Sequence, residues 1–151
     1  MPDEPRVETT KEWPLACDLR ARSYEMDSFG HVNNAVYLQY LEAARCEYLL
    51  QRGVSFADFA RWGVAPVLVH ASLDYRSPCR CDDLLRFHAR AVPHRRTGFG
   101  FEYLVTNQTT GATALTARLQ FVFTNAQTGR PTRPPEAFLA AFPECREDVK
   151  G

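Results

Sequence analysis

Apolar and polar residues alternate with a period of two along several stretches of the chain, and with a helical period along one. From Leu15 to Tyr24, Cys17, Leu19, Ala21 and Ser23 fall on one face and Asp18, Arg20, Arg22 and Tyr24 on the other, which predicts a half-buried strand. A helix follows, opened by Asn33 and Asn34 and running to Leu50. At about 100° per residue its Tyr37, Tyr40, Leu41, Ala44 and Tyr48 form one stripe, while Leu38 and Leu49 flank a second side. So wide an apolar surface predicts a helix wrapped by other structure. Gly53 stops it, and Ser55 caps a short helical piece through Arg61.

The remainder reads as strands. Val67, Val69, Ala71, Leu73 and Tyr75 alternate with Leu68, His70, Ser72 and Asp74, and Pro78 ends the run. Further runs follow through Leu85, Phe87, Ala89 and Ala91, then Phe99, Phe101, Tyr103 and Val105, then Leu115, Ala117, Leu119, Phe121 and Phe123. Short, turn-rich gaps favour antiparallel hairpins over βαβ crossovers. Pro131, Pro134 and Pro135 precede a last short helix over Glu136–Phe142. The order predicts an α+β fold, an antiparallel β-sheet packed around one long central helix.

A length of 151 residues fits a single domain, with residues 1–12 as a flexible arm and 134–151 as a C-terminal helix and tail. Eighteen basic residues cancel eighteen acidic ones, so no global field draws the chain to nucleic acid or membrane. Five cysteines, an odd number without C-x-x-C spacing, argue against a disulfide framework or a zinc ribbon. No apolar run has the length of a signal peptide or a membrane helix, and a cytoplasmic protein is the expectation.

The chemistry concentrates in residues 22–45. Asp27 stands just before Gly30-His31, and Asn33 and Asn34 open the helix. A carboxylate beside a helix N-terminus can activate a nucleophile, and the free N–H groups of that terminus can hold an oxyanion. The ordered set Asp27-x-x-Gly30-His31-Val32-Asn33-Asn34-Ala35-x-Tyr37, Tyr75-x-x-Pro78, Asp82-Asp83 and Thr128-Gly129-Arg130-Pro131 resembles the hotdog-fold thioesterases. Within them it is most similar to the 4-hydroxybenzoyl-CoA thioesterase-like family, over residues 14–135.

The resemblance implies an acyl-CoA thioesterase with no metal or redox cofactor, coenzyme A entering as part of the substrate. Asp27 is then the catalytic carboxylate, either a general base on water or a nucleophile. A thiol leaving group, with a pKa of about 8.5, departs without a strong general acid. The implied oxyanion donor is the main-chain N–H of Asn34, seven residues after the acid. Gly30 allows close approach or positive φ. His31 matches a histidine of the acyl-carrier-protein branch, which has Asn where this chain has Phe29. Tyr37 and neighbouring aromatics line an acyl pocket. Glu42 either pairs with Arg45 at i,i+3 or helps bind substrate, since one branch uses a helix acid in catalysis. Arg95, Arg96 and Thr97 lie in a hairpin where benzoyl-type enzymes contact the nucleotide, a role that suits guanidinium groups. The hotdog fold further implies a homodimer or homotetramer with active sites at the subunit interface.

Three other readings remain in view: an acyl-carrier-protein thioesterase, a non-catalytic acyl-CoA binder or sensor, and a hotdog dehydratase, whose paired acid and histidine motifs are missing here. Gly53-Val54-Ser55-Phe56-Ala57 falls short of a nucleophile elbow because it ends in Ala and follows a helix.

Overall fold

In the computed structural model, residues 13–146 are described. The arm expected over residues 1–12 and the end of the tail beyond 146 lie outside them. The elements run β1 (Leu15–Arg20), α1 (Val36–Gln51), α2 (Phe56–Arg61), β2 (Val64–Tyr75), β3 (Leu84–His94), β4 (Gly98–Asn107), β5 (Thr113–Asn125) and α3 (Glu136–Ala141). Short 3-10 turns occupy Ser23–Glu25 and Pro143–Cys145. The strands form a five-stranded sheet in the order β1-β3-β4-β5-β2. β1 pairs antiparallel with β3, Cys17 opposite Phe87 and Leu19 opposite Leu85. This register sets Asp18 against Arg86, and two hydrogen bonds of 2.9 and 3.1 Å join them.

The chain packs as two compact units. The first holds the described residues up to Tyr48, with Leu73–Arg90 and Tyr103–Ala117. Its core is the predicted helix stripe: Tyr37, Tyr40, Leu41, Ala44 and Tyr48 are all buried, as are Leu85, Phe87, Ala89, Val105 and Leu115 of the strands. Tyr40 meets Phe87 edge-on, ring centres 5.9 Å apart. Each such large side chain contributes about 1.5–3 kcal/mol through its removal from water.

The second unit holds Leu49–Ser72, Ala91–Glu102 and the described residues from Arg118 on. Its core is aromatic: Phe99 stacks on Phe121 at 5.0 Å and touches Phe138 at 4.8 Å, and Phe138 stacks on Phe142 at 5.1 Å. Gly53 closes α1 as the sequence predicts. At φ +76° its N–H bonds Leu50 O at 3.0 Å while Val54 N–H bonds Leu49 O at 2.9 Å, the paired bonds of a Schellman motif. Ser55 does begin α2, its N–H donating to the Asp58 carboxylate at 2.7 Å.

Two expectations need correction. The first strand ends at Arg20 rather than Tyr24, because the Glu25 carboxylate captures the Arg22 N–H at 2.7 Å and turns the chain. α1 is not wrapped on all sides: Leu38 is 41% exposed, and Gln39, Glu42, Ala43 and Glu47 beside it face out. The strand read from Val67 to Tyr75 is present as part of β2, and as the last strand of the sheet order it leaves Val67, Leu68 and Val69 44%, 45% and 55% exposed. Alternation shows that a strand has an apolar face, not that a neighbour covers it.

His88 of β3 is buried, and its Nδ1 has no hydrogen-bond partner among the described residues. Burial holds this imidazole below its ordinary value of 6.5, outweighing a hydrogen bond to the Trp13 backbone that acts the other way. A histidine depressed in the fold binds its proton more readily when unfolded. Its contribution to stability is therefore full above about pH 6.5 and declines as pH falls below it. Wild type is expected to lose Tm relative to His88→Leu between pH 7.5 and 5.5; a Tm difference that stays constant with pH would refute this.

Candidate active site

The residues around Asp27 form a short closed turn. Met26 and Val32 bridge antiparallel, the Asp27 N–H donates to His31 O at 2.7 Å, and the Gly30 N–H donates to Asp27 O at 3.1 Å. Gly30 takes φ +78° with nothing within 4 Å of where a Cβ would sit, so conformation and not space selects glycine there. The Asp27 carboxylate is divided in its duties. Oδ1 accepts the Phe29 N–H at 2.8 Å and the His31 N–H at 3.1 Å. Among the described residues, Oδ2 has no such partner.

The turn is fixed at its base. Glu25, buried, accepts the Tyr40 hydroxyl at 2.8 Å through its side chain and the Asn33 N–H at 2.9 Å through its carbonyl. The Val32 N–H donates to Cys79 O at 2.8 Å, which ties the turn to the segment after β2. Beneath that segment, Asn107 Nδ2 donates to Asp83 at 2.8 Å and approaches Cys79 Sγ at 3.6 Å, all three residues buried. Such a satisfied polar network specifies one arrangement of the loop.

The start of α1 brings its amides to the same place. Asn33 Oδ1 accepts the Ala35 N–H at 2.9 Å, and Asn33 O accepts the Val36 N–H at 2.9 Å. The Asn34 N–H has no acceptor among the described residues. A cleft of about 220 Å³ is lined by Asp27, His31, Asn34 and Tyr37, together with Val32 and the run Tyr75–Pro78. Tyr37 stays protonated: burial and a hydrogen bond with Cys79 push its hydroxyl far above the usual tyrosine value.

The structure thus brings Asp27, His31, Asn34 and Tyr37 together. Gly30 shapes the turn without lining the cleft. Glu42 is not among the lining residues; its side chain is exposed and pairs with Arg45 at 3.3 Å. Arg95, Arg96 and Thr97 belong to the second unit, in the β3–β4 hairpin, where Arg95 adopts φ +51° and Thr97 O accepts the Phe123 N–H at 2.7 Å. The cleft also takes in Tyr75, Arg76 and Ser77, which the motif around Asp27 does not point to. Their one signal was the Tyr75-x-x-Pro78 strand end, and nothing local says that a strand end forty residues downstream lies beside Asn34.

Among the described residues, no His, Cys, Asp or Glu side chains cluster as a metal site, and no helix is long and apolar enough to cross a membrane. The cysteines are free thiols. Burial pushes Cys17 up to about 11 and Cys145 up to about 12, and it raises Cys46 and Cys79 as well.

Residues 21–142 match the Thioesterase-like superfamily. The chain is 29% identical over 136 residues to the long-chain acyl-CoA thioesterase FadM of Escherichia coli, covering 90% of this chain and 97% of that one. It is 30% identical over 125 residues to the chloroplastic acyl-acyl carrier protein thioesterase ATL3 of Arabidopsis thaliana, covering 83% of this chain but only 65% of the relative's length. Among solved structures, the 1,4-dihydroxy-2-naphthoyl-CoA thioesterase Slr0204 from Synechocystis superposes with a TM-score of 0.78 at 20% identity, covering 85% of this chain and 94% of that one. The chain therefore belongs to the thioesterase-like superfamily, with the hotdog fold and the hydrolysis of thioesters that go with it.

Proposed function

We propose that this protein hydrolyses acyl-CoA to a free acid and coenzyme A, using Asp27 and the Asn34 main chain. The observation that carries the reading is one cleft holding both an unbonded carboxylate oxygen, Asp27 Oδ2, and an unbonded amide, the Asn34 N–H. With the thioester carbonyl between them, Oδ2 takes a proton from water as the water oxygen attacks the carbonyl carbon, or attacks that carbon itself to leave an acyl–Asp27 mixed anhydride that water then cleaves to the free acid and the carboxylate. The carbonyl oxygen becomes an oxyanion held by the Asn34 N–H. Collapse breaks the C–S bond and releases the thiolate, which takes up a proton. His31 adds a side chain at the rim. By resemblance, Arg95, Arg96 and Thr97 serve the phosphates of the nucleotide. The similarity to ATL3 favours a second reading, in which an acyl carrier protein replaces coenzyme A. Free-thiol release from a panel of acyl-CoAs and acyl carrier proteins, measured on wild type and Asp27→Asn together, tests both readings; the absence of thiol from every substrate would end them.

The reading includes a cytoplasmic location, which the free thiols support. It also includes a homodimer or homotetramer. Val67, Leu68 and Val69 leave an apolar strand bare at the end of the sheet, a surface that pairs with another strand unless blocked. Phe29, 81% exposed beside Asp27, and a cleft smaller than the about 300–1,000 Å³ usual for ligands support active sites completed by a second copy. Val69→Lys is expected to shift the protein to monomer in sedimentation and to reduce turnover; an unchanged oligomer would remove β2 from the interface.

A further inference from the structure

An oxyanion donor is useful only if its direction is fixed before the substrate arrives. In a trans peptide the C=O and N–H point in opposite directions. The Asn33 carbonyl takes the Val36 N–H at 2.9 Å, so the N–H on the same peptide, that of Asn34, is directed away from the helix. The next peptide is held at both ends. Its N–H, from Ala35, is bonded to Asn33 Oδ1 at 2.9 Å, and its C=O, from Asn34, accepts the Tyr75 hydroxyl at 3.0 Å. Residue 34 therefore sits between two clamped peptides, and the one amide left open is its own.

Tyr75 is well placed to hold its half of this clamp. It is the last residue of β2, followed by Arg76 and Ser77, whose N–H groups bond Ala114 O at 2.9 and 3.3 Å. Its ring meets that of buried Tyr37 edge-on at 5.4 Å, and Tyr37 stands in the first turn of α1. The phenol proton is spent on the Asn34 carbonyl, so the hydroxyl has no proton to give a substrate in this arrangement.

We propose that Tyr75 is a positioning residue for the oxyanion amide: its hydroxyl holds the Asn34 carbonyl so that the Asn34 N–H keeps its aim on the thioester oxygen. This rests on the proposed roles of Asp27 and Asn34. The residue acts through the main chain and touches no reacting atom.

Tyr75→Phe removes one oxygen from a half-exposed ring and leaves the Tyr37 contact, so the fold does not depend on it. The freed carbonyl is near solvent and finds water. Expected for the variant are a kcat for acyl-CoA lowered about tenfold, an unchanged KM, a pH–rate profile of the same shape, and a Tm within about 3 °C of wild type. Asn33→Ala, which loosens the same peptide from its other end, is expected to give the same split between kcat and KM. Wild-type kcat in Tyr75→Phe overturns the proposal. So does a raised KM with unchanged kcat, which would make Tyr75 a substrate contact, or an altered pH profile, which would make it a proton donor. Asp27→Asn is measured in parallel. If it retains wild-type turnover, the reading of the whole site fails; if it is inactive while Tyr75→Phe is normal, only the positioning role fails.

Discussion

An Asp27→Asn variant is expected to fold as the wild type does and to release thiol from acyl-CoA about a thousandfold more slowly. The two carboxylate oxygens have different work, and the substitution separates them. Oδ1, which accepts the Phe29 and His31 N–H groups at 2.8 and 3.1 Å, remains a carbonyl oxygen in asparagine, so the turn keeps both bonds. Oδ2 becomes an NH₂ group whose lone pair is delocalised into the carbonyl, so it neither takes a proton from water nor attacks carbon. General base catalysis alone is worth about 10²–10⁴, and loss of a nucleophile costs more. The variant thus removes chemistry while sparing architecture, which Asp27→Ala does not. Circular dichroism and Tm establish the fold, and thiol release establishes the loss. A folded Asp27→Asn with wild-type turnover would move the reaction to another group.

The second large effect concerns the scaffold. Gly98→Ala is expected to destabilise the protein by about 3 kcal/mol, lowering Tm by roughly 6–12 °C. A Cβ at Gly98 would stand 2.1 Å from Phe121 O and 3.0 Å from His94 O. Both are main-chain atoms, so no rotamer relieves the overlap and β4 must back away from its neighbour. The next residue, Phe99, stacks on Phe121 at 5.0 Å, so the retreat also opens the aromatic core of the second unit. Gly30→Ala is the control: open space surrounds it, and its cost is the left-handed conformation alone, about 1 kcal/mol. Chemical denaturation that finds Gly98→Ala within a few tenths of wild type would refute the close approach.

The contrast between these glycines shows what a sequence can carry. Gly30 announces itself through the motif around it, whereas the constraint on Gly98 comes from a carbonyl in β5, a neighbour no local pattern names. The same division runs through the fold. Periodicity located the buried stripe from Tyr37 to Tyr48 because one face of one helix decides it. It misjudged Leu38, and it left the exposure of β2 unread, because burial there depends on what packs alongside. At the site, Asp27, His31, Asn34 and Tyr37 were legible, since eleven consecutive residues carry all four. Tyr75 was not, because its meaning is a hydrogen bond to Asn34 across 41 residues. Nor did composition reveal that Glu25 is buried beneath the turn, for a carboxylate among polar neighbours reads as surface until Tyr40 is seen donating to it.

The raised thiols have a practical consequence. Attack on a disulfide or an electrophile requires the thiolate, and Cys17, Cys46, Cys79 and Cys145 are all held toward the protonated form. These four side chains are thereby kept in the form slow to exchange with any disulfide present, and exposed Cys81 is the thiol that reagents reach first. A thiol-reactive dye used to follow turnover therefore needs a blank of the protein alone, set by exposed Cys81 and not by the buried Cys79 and Cys145.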